Sequence, residues 1–110
     1  MKKLGKGSII NLGSFSWMKG TPGMPGYTTS KSAIAGLTKT FARELGPYNI
    51  RVNCVAPGLI TTERQKKLWI TPTIKKETFK RQCIKRFLVP EDISKVVLFF
   101  ASDESSGCTA

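Results

Sequence analysis

The chain has 110 residues, 40% hydrophobic and 23% charged, with 18 Lys+Arg against 7 Asp+Glu for a formal net charge of +11. That length allows one small domain with a core of its own, and no run approaches the twenty or so apolar residues of a membrane span. The absence of histidine leaves tyrosine and lysine to carry any acid-base chemistry, and no metal site is expected.

Lys2, Lys3 and Lys6 open the chain without the apolar core of a signal peptide behind them, so a soluble, cytoplasmic protein is expected. Gly7 to Leu12 is a short apolar run closed by Gly13-Ser14 and reads as a buried strand. Lys19 to Gly26 carries too many glycines and prolines for regular structure. From Tyr27 to Leu45, Ile34, Leu37, Phe41 and Leu45 recur at helical spacing, with Gly46 and Pro47 as the stop. Ile50 to Ala56 is a second, β-branched strand run that ends at the Pro57-Gly58 turn. Strand, helix and strand make a βαβ unit, so the class is α/β with a parallel sheet.

Beyond the turn, Thr61 to Arg86 mixes helical stretches with Thr71-Pro72 and reads as a mobile cover. Nine basic residues fall between Arg64 and Arg86 against Glu77 alone. A solvated face is the favoured reading of that run, and attraction of an anion the other. Pro90-Glu91-Asp92 suits the first turn of a last helix, whose Ile93, Val96, Val97, Phe100 and Ala101 form a core stripe. Cys54, Cys83 and Cys108 are odd in number and widely spaced, hence buried or idle thiols with no disulfide framework.

One constellation carries chemistry: Ser14, Tyr27 thirteen residues on, and Lys31 four residues after that. A phenol is a poor base at neutral pH unless a fixed positive charge favours the phenolate. Positions i and i+4 share a helix face, so a helical Tyr27 segment puts Lys31 beside the phenol. Ligands of open parallel sheets bind outside the carboxyl ends of the strands. Ser14 follows the first strand end, Tyr27 and Lys31 begin the returning helix, and Pro57-Gly58 follows the second strand end. All of them should meet on one rim.

In these residues the chain resembles the carboxyl-proximal half of a classical short-chain dehydrogenase/reductase. The resemblance runs nearly end to end, through Ile9-Ile10-Asn11-Leu12-Gly13-Ser14, Tyr27-Thr28-Thr29-Ser30-Lys31, Ile50 to Gly58 and Pro90-Glu91-Asp92-Ile93. It implies a partial Rossmann-like sheet, with residues 7–58 as the catalytic βαβ segment, 59–89 as a substrate-loop lid and 90–104 as a helix. It implies an oxidoreductase moving hydride between NAD or NADP and an alcohol, ketone or sugar. Tyr27 would be the general acid/base and Ser14 a hydrogen-bond partner of the reacting oxygen. Lys31 would lower the tyrosine pKa and bind the nicotinamide ribose. Tyr27, Lys31, Pro57, Gly58, Ile60 and Thr62 would meet the cofactor, with the Thr62 hydroxyl on the carboxamide.

The resemblance also implies a missing half. The strand, Gly-x-x-x-Gly-x-Gly turn and helix that hold the pyrophosphate have no counterpart here, and neither does the catalytic asparagine segment. A fragment is therefore expected, without activity or tight dinucleotide binding of its own. The alternative is a non-catalytic remnant that only pairs with other subunits, with Ile34, Leu37 and Phe41 of the Tyr27–Leu45 helix at a homo-oligomer contact. Neither nucleic acid nor a membrane is expected as a partner. The loop Thr62-Glu63-Arg64-Gln65 with Leu68-Trp69 resembles the branch that oxidises sugars and sugar acids, fatty-acyl carrier substrates being the other option. Trp17, Met18, Met24 and Trp69 would line the substrate side, ordinary loop packing being the equal alternative.

Overall fold

A computed structural model describes residues 1–110. In chain order the elements are β1 (Gly7–Leu12), α1 (Pro25–Leu45), β2 (Ile50–Val55), α2 (Glu63–Leu68), α3 (Pro72–Arg81) and α4 (Pro90–Ala101). β1 and β2 pair in parallel from Gly7 opposite Ile50 to Leu12 opposite Val55, so the expected βαβ unit is present.

Local chemistry explains the boundaries. β1 stops at Gly13, where an added Cβ would lie 2.9 Å from Cys54 Sγ, so a side chain here would have to displace that thiol. α1 starts two residues earlier than its apolar periodicity suggests, because Pro25 supplies a preset helical φ at the first position. Tyr27 therefore sits in its first turn. Past Leu45 the chain tightens into a 3-10 turn over Gly46–Tyr48 and reverses at Asn49, whose φ of 56° is the left-handed conformation that asparagine tolerates.

Side chains alternate across a strand, so Ser8 and Asn11 leave opposite faces of β1. Asn11 Nδ2 donates to Thr38 Oγ1 of α1 at 2.9 Å, and Ser8 Oγ donates to the Phe100 carbonyl of α4 at 2.7 Å. The two long helices thus cover the sheet from opposite sides. On the α4 side Arg51 donates to Ser105 Oγ and the Ser102 carbonyl, and Asn53 Nδ2 to the Cys108 carbonyl.

The core is small. Its buried apolar residues are Ala42, Ile50, Val52 and Val55. In α1 the inward positions are Thr38 and Ala42, with Ile34, Phe41 and Leu45 half-buried and Leu37 exposed. The core stripe expected along α4 needs correction. Ile93, Val97 and Phe100 are only half-buried and Val96 and Ala101 are exposed, since two strands are too narrow a floor for that helix. The three thiols are free, as the absence of a disulfide framework implied, with Cys54 and Cys108 half-buried and Cys83 exposed.

The segment expected as a cover forms two short helices that make no extensive contact with the strands, α1 or α4. Thr62 Oγ1 caps α2 by accepting from Gln65 N, and Thr71 Oγ1 caps α3 by accepting from Ile74 N. A neck closes the excursion. Ile60 bridges Leu88 in parallel, and both the amide and the hydroxyl of the buried Thr61 donate to the Leu88 carbonyl at 2.8 Å. Phe79 of α3 meets Phe87 with ring centroids 4.9 Å apart. Arg86 forks onto both carboxylate oxygens of Asp92, which also accepts from Val89 N and so caps α4. The Arg86 hydrogen bond, then that of the Val89 amide, hold the Asp92 carboxyl well below the usual carboxylate range.

The radius of gyration is 16.2 Å, where a compact chain of this length would measure about 13 Å, so the molecule is elongated. No helix is long and apolar enough to cross a membrane.

Candidate active site

The carboxyl ends of β1 and β2 are stitched together. Gly13 N donates to the Val55 carbonyl at 2.8 Å and Phe15 N to the Pro57 carbonyl at 3.2 Å, so the loops after the two strands leave side by side. Ser14 lies between those bonds and is 6% exposed. Its Oγ donates to Ser16 Oγ and accepts from Ser16 N, each at 3.1 Å.

Lys31 connects the helix to this rim. Its ammonium donates to the Leu12 carbonyl, the last of β1, at 2.8 Å. The same ammonium lies 5.8 Å from the Tyr27 ring centroid, within the range in which a cation interacts with a ring face. Tyr27 is 46% exposed, and its hydroxyl makes no hydrogen bond within the chain. The fold brings Lys31 to Tyr27 and both to the end of β1. No hydrogen bond joins Ser14 to Tyr27.

The residues expected to meet a cofactor divide. Pro57, Ile60 and Thr62 line one open cleft of about 780 Å³ with Leu12, Ile93 and Leu98, while Gly58 is not in its wall. Ser14, Tyr27 and Lys31 are also outside it, and Leu12 is the link, with its side chain on the cleft and its carbonyl under the lysine. The Ile60 carbonyl accepts from Thr62 N, which holds Thr62 at the cleft edge.

Sequence reasoning missed Ser16. Only its Ser-Phe-Ser spacing to Ser14 hints at the pairing, and the structure adds Thr21, whose amide and hydroxyl both donate to the Ser16 carbonyl. Among the cations beyond Thr62, Lys66 pairs with Glu63, Arg81 with Glu77 and Arg86 with Asp92. Lys85 closes α3 by donating to the Phe79 and Gln82 carbonyls.

A family profile described as Enoyl-(Acyl carrier protein) reductase matches residues 1–110. A probable galactose dehydrogenase of Rhizobium meliloti is 47% identical over 110 residues, covering 100% of this chain and 43% of that protein. The chain belongs to the short-chain dehydrogenase/reductase family. A second family member, D-xylose 1-dehydrogenase of Caulobacter vibrioides, is 49% identical over 109 residues, covering 99% of this chain and 44% of that one. A 7 alpha-hydroxysteroid dehydrogenase solved with NADH and 7-oxo glycochenodeoxycholic acid superposes with a TM-score of 0.92 at 36% identity, covering 99% of this chain and 42% of that one. The chain thus spans less than half the length of the short-chain dehydrogenases it matches, and the partial Rossmann-like sheet agrees with that coverage.

Proposed function

We propose that this chain carries the proton-transfer side of an NAD(P)-dependent oxidoreductase site that acts on the anomeric hydroxyl of an aldose. The observation that supports it is the double placement of Lys31, bonded to the end of β1 and set beside the Tyr27 ring. Tyr27, with a free hydroxyl in the first turn of α1, takes the proton from the substrate oxygen in oxidation and returns it in reduction. Ser14, held at the strand end by its exchange with Ser16, turns its hydroxyl to the same oxygen. The Lys31 ammonium places positive charge where negative charge develops as the proton moves.

The chain's residues fit the nicotinamide end of the cofactor. Lys31 spends one N–H on Leu12 and keeps two for the ribose hydroxyls. Thr62 Oγ1 accepts from Gln65 N, which leaves its own proton to donate to the carboxamide. Leu12, Pro57 and Ile60 give that ring an apolar wall, and Gly58 belongs to the same turn. When bound, NAD(P) supplies the hydride acceptor or donor. The aldose substrate rests on the two sugar dehydrogenases among the relatives. The exposed Leu37, beside the half-buried Ile34 and Phe41, gives α1 a surface for a second subunit.

Grafting tests this reading. Residues 1–110 replace the matched 43% of the Rhizobium galactose dehydrogenase, and galactose-dependent reduction of NAD or NADP is followed. The reading predicts turnover that is lost with Tyr27→Phe while dinucleotide affinity stays within a fewfold. A non-catalytic remnant would give a folded, cofactor-binding graft with no turnover at all.

A further inference from the structure

The two edges of the sheet differ. β1 and β2 run parallel, and Gly7 N donates to the Asn49 carbonyl and Gly13 N to the Val55 carbonyl. In a parallel ladder alternate residues of a strand face the partner, so the odd-numbered residues of β1 spend their amides and carbonyls on β2. The amides and carbonyls of Ser8, Ile10 and Leu12 therefore point away from β2. Among them only the Leu12 carbonyl has a partner in the chain, the Lys31 ammonium at 2.8 Å. The outer edge of β2 is covered instead. Ala110 N donates to the Val52 carbonyl at 3.0 Å and Val52 N to Thr109 Oγ1 at 3.1 Å, so Thr109 and Ala110 lie along that strand. The open edge carries none of the features that keep edge strands apart: Gly7–Leu12 has no charged residue, no proline and no bulge.

We propose that the open edge of β1 pairs antiparallel with β1 of a second copy of this 110-residue chain, across a two-fold axis at Ile10. The edge is self-complementary about that residue. Ile10 faces its own counterpart and Ser8 faces Leu12, and each opposed pair exchanges two hydrogen bonds between outward-pointing groups. The Leu12 carbonyl has a second lone pair for the incoming Ser8 amide, so Lys31 keeps its bond. An axis perpendicular to the sheet preserves its faces. The joined sheet runs β2-β1-β1-β2, with both α4 helices on one side and both α1 helices on the other. On the α4 side, Leu12 and Leu98, 50% and 70% exposed, line the open cleft beside β1 and gain cover from the other copy. That is the cover the apolar stripe of α4 lacks on a two-stranded floor. The contact is separate from the α1 surface around Leu37. Its size sets its strength: a strand of this length spans about 20 Å, and with a helix layer on either side the joined face is on the order of 500 Å² per copy, below the ~800 Å² of a standard interface. The pairing is therefore concentration-dependent. The formal charge of +11 on each copy opposes it, and because the seam itself is neutral that repulsion is screened by salt.

Sedimentation velocity and amide hydrogen exchange on the 110-residue chain test this together. Between about 10 μM and about 1 mM the chain should pass from monomer to dimer, and raising NaCl from about 0.05 M to about 0.5 M should lower the dimer Kd. In the monomer the amides of Ile9 and Asn11 should be protected, and those of Ser8, Ile10 and Leu12 should exchange freely. The second set should gain protection in step with the dimer fraction. Ile10→Pro removes an amide that β2 does not use, and should raise the Kd at least about tenfold while the Asn11 amide stays protected. Should that variant fail to fold, Leu98→Lys, at a side chain that is 70% exposed, sets a charge beside the seam and should have the same effect. A chain that stays monomeric at about 1 mM overturns the proposal, and so does a folded Ile10→Pro or a Leu98→Lys that dimerises like the parent. A dimer in which Ser8, Ile10 and Leu12 still exchange freely overturns it too, and assigns the contact to another face such as that of α1.

Discussion

The neck at Thr61 is where one substitution separates the α2–α3 excursion from the βαβ body. Thr61→Val keeps the shape of a residue that is 6% exposed and removes one of the two bonds that reach the Leu88 carbonyl. The Thr61 amide still serves that carbonyl, so no acceptor is stranded and the cost is that of one net hydrogen bond, about 1 kcal/mol. At about 1.4 kcal/mol per tenfold, local opening becomes roughly fivefold more frequent. Amide hydrogen exchange reads this directly, because the residue-61 amide is itself part of the neck. Its protection should fall about fivefold once intrinsic rates are corrected. The amide of Ile9 in β1 and that of Val52 in β2, which donates to Thr109 Oγ1, should be unchanged, since α2 and α3 make no extensive contact with the strands. Equal loss of protection at residue 61 and in the strands would refute the neck as a separate hinge, and so would no loss at residue 61.

Three further outcomes follow from the same contacts. Arg86 and Val89 hold the Asp92 carboxyl below its unfolded value, so the unfolded chain binds that proton first as pH falls. The stability it contributes is complete above about pH 4 and declines below it, and Asp92→Asn should flatten the Tm of the chain between pH 5 and pH 2; an unaltered slope contradicts the pair. Gly13→Ala puts a methyl 2.9 Å from Cys54 Sγ and should cost about 1–3 kcal/mol by urea denaturation. Cys54→Ala should recover most of that loss in the double variant, and additive effects would show that no clash exists. Titrated with NADH by fluorescence, the 110-residue chain should bind more weakly than micromolar, because all the residues assigned to the cofactor meet its nicotinamide end; micromolar binding would refute that assignment.

Legibility from sequence followed the range of the forces involved. β1, α1, β2 and the start of α4 are set by local periodicity, glycine stops and prolines, and they stand within two residues of where those signals put them. The proximity of Lys31 to Tyr27 was readable because an i, i+4 spacing on a helix dictates it. The bond from Lys31 to the Leu12 carbonyl was not, since it depends on how α1 sits on the rim. Burial along α4 was misjudged because a perfect apolar stripe says what a helix can bury, and the width of the sheet beneath it says what it does bury. The Thr61–Leu88 neck spans 27 residues and has no local signature. Ser16 was hidden for the opposite reason: a serine two residues from another is common in turns, and only the pair of 3.1 Å bonds shows that it holds Ser14.

The proposed proton transfer by Tyr27, which lies beside Lys31 at the end of β1, is the step on which the oxidoreductase reading stands. Its most direct measurement is galactose-dependent dinucleotide reduction by the graft of residues 1–110 into the galactose dehydrogenase, compared between Tyr27 and Tyr27→Phe. Loss of the phenol's proton transfer should lower kcat by at least about a hundredfold, the lower range for a general acid-base group, with the Kd for NADH nearly unchanged. Turnover within tenfold of the parent graft would contradict the account.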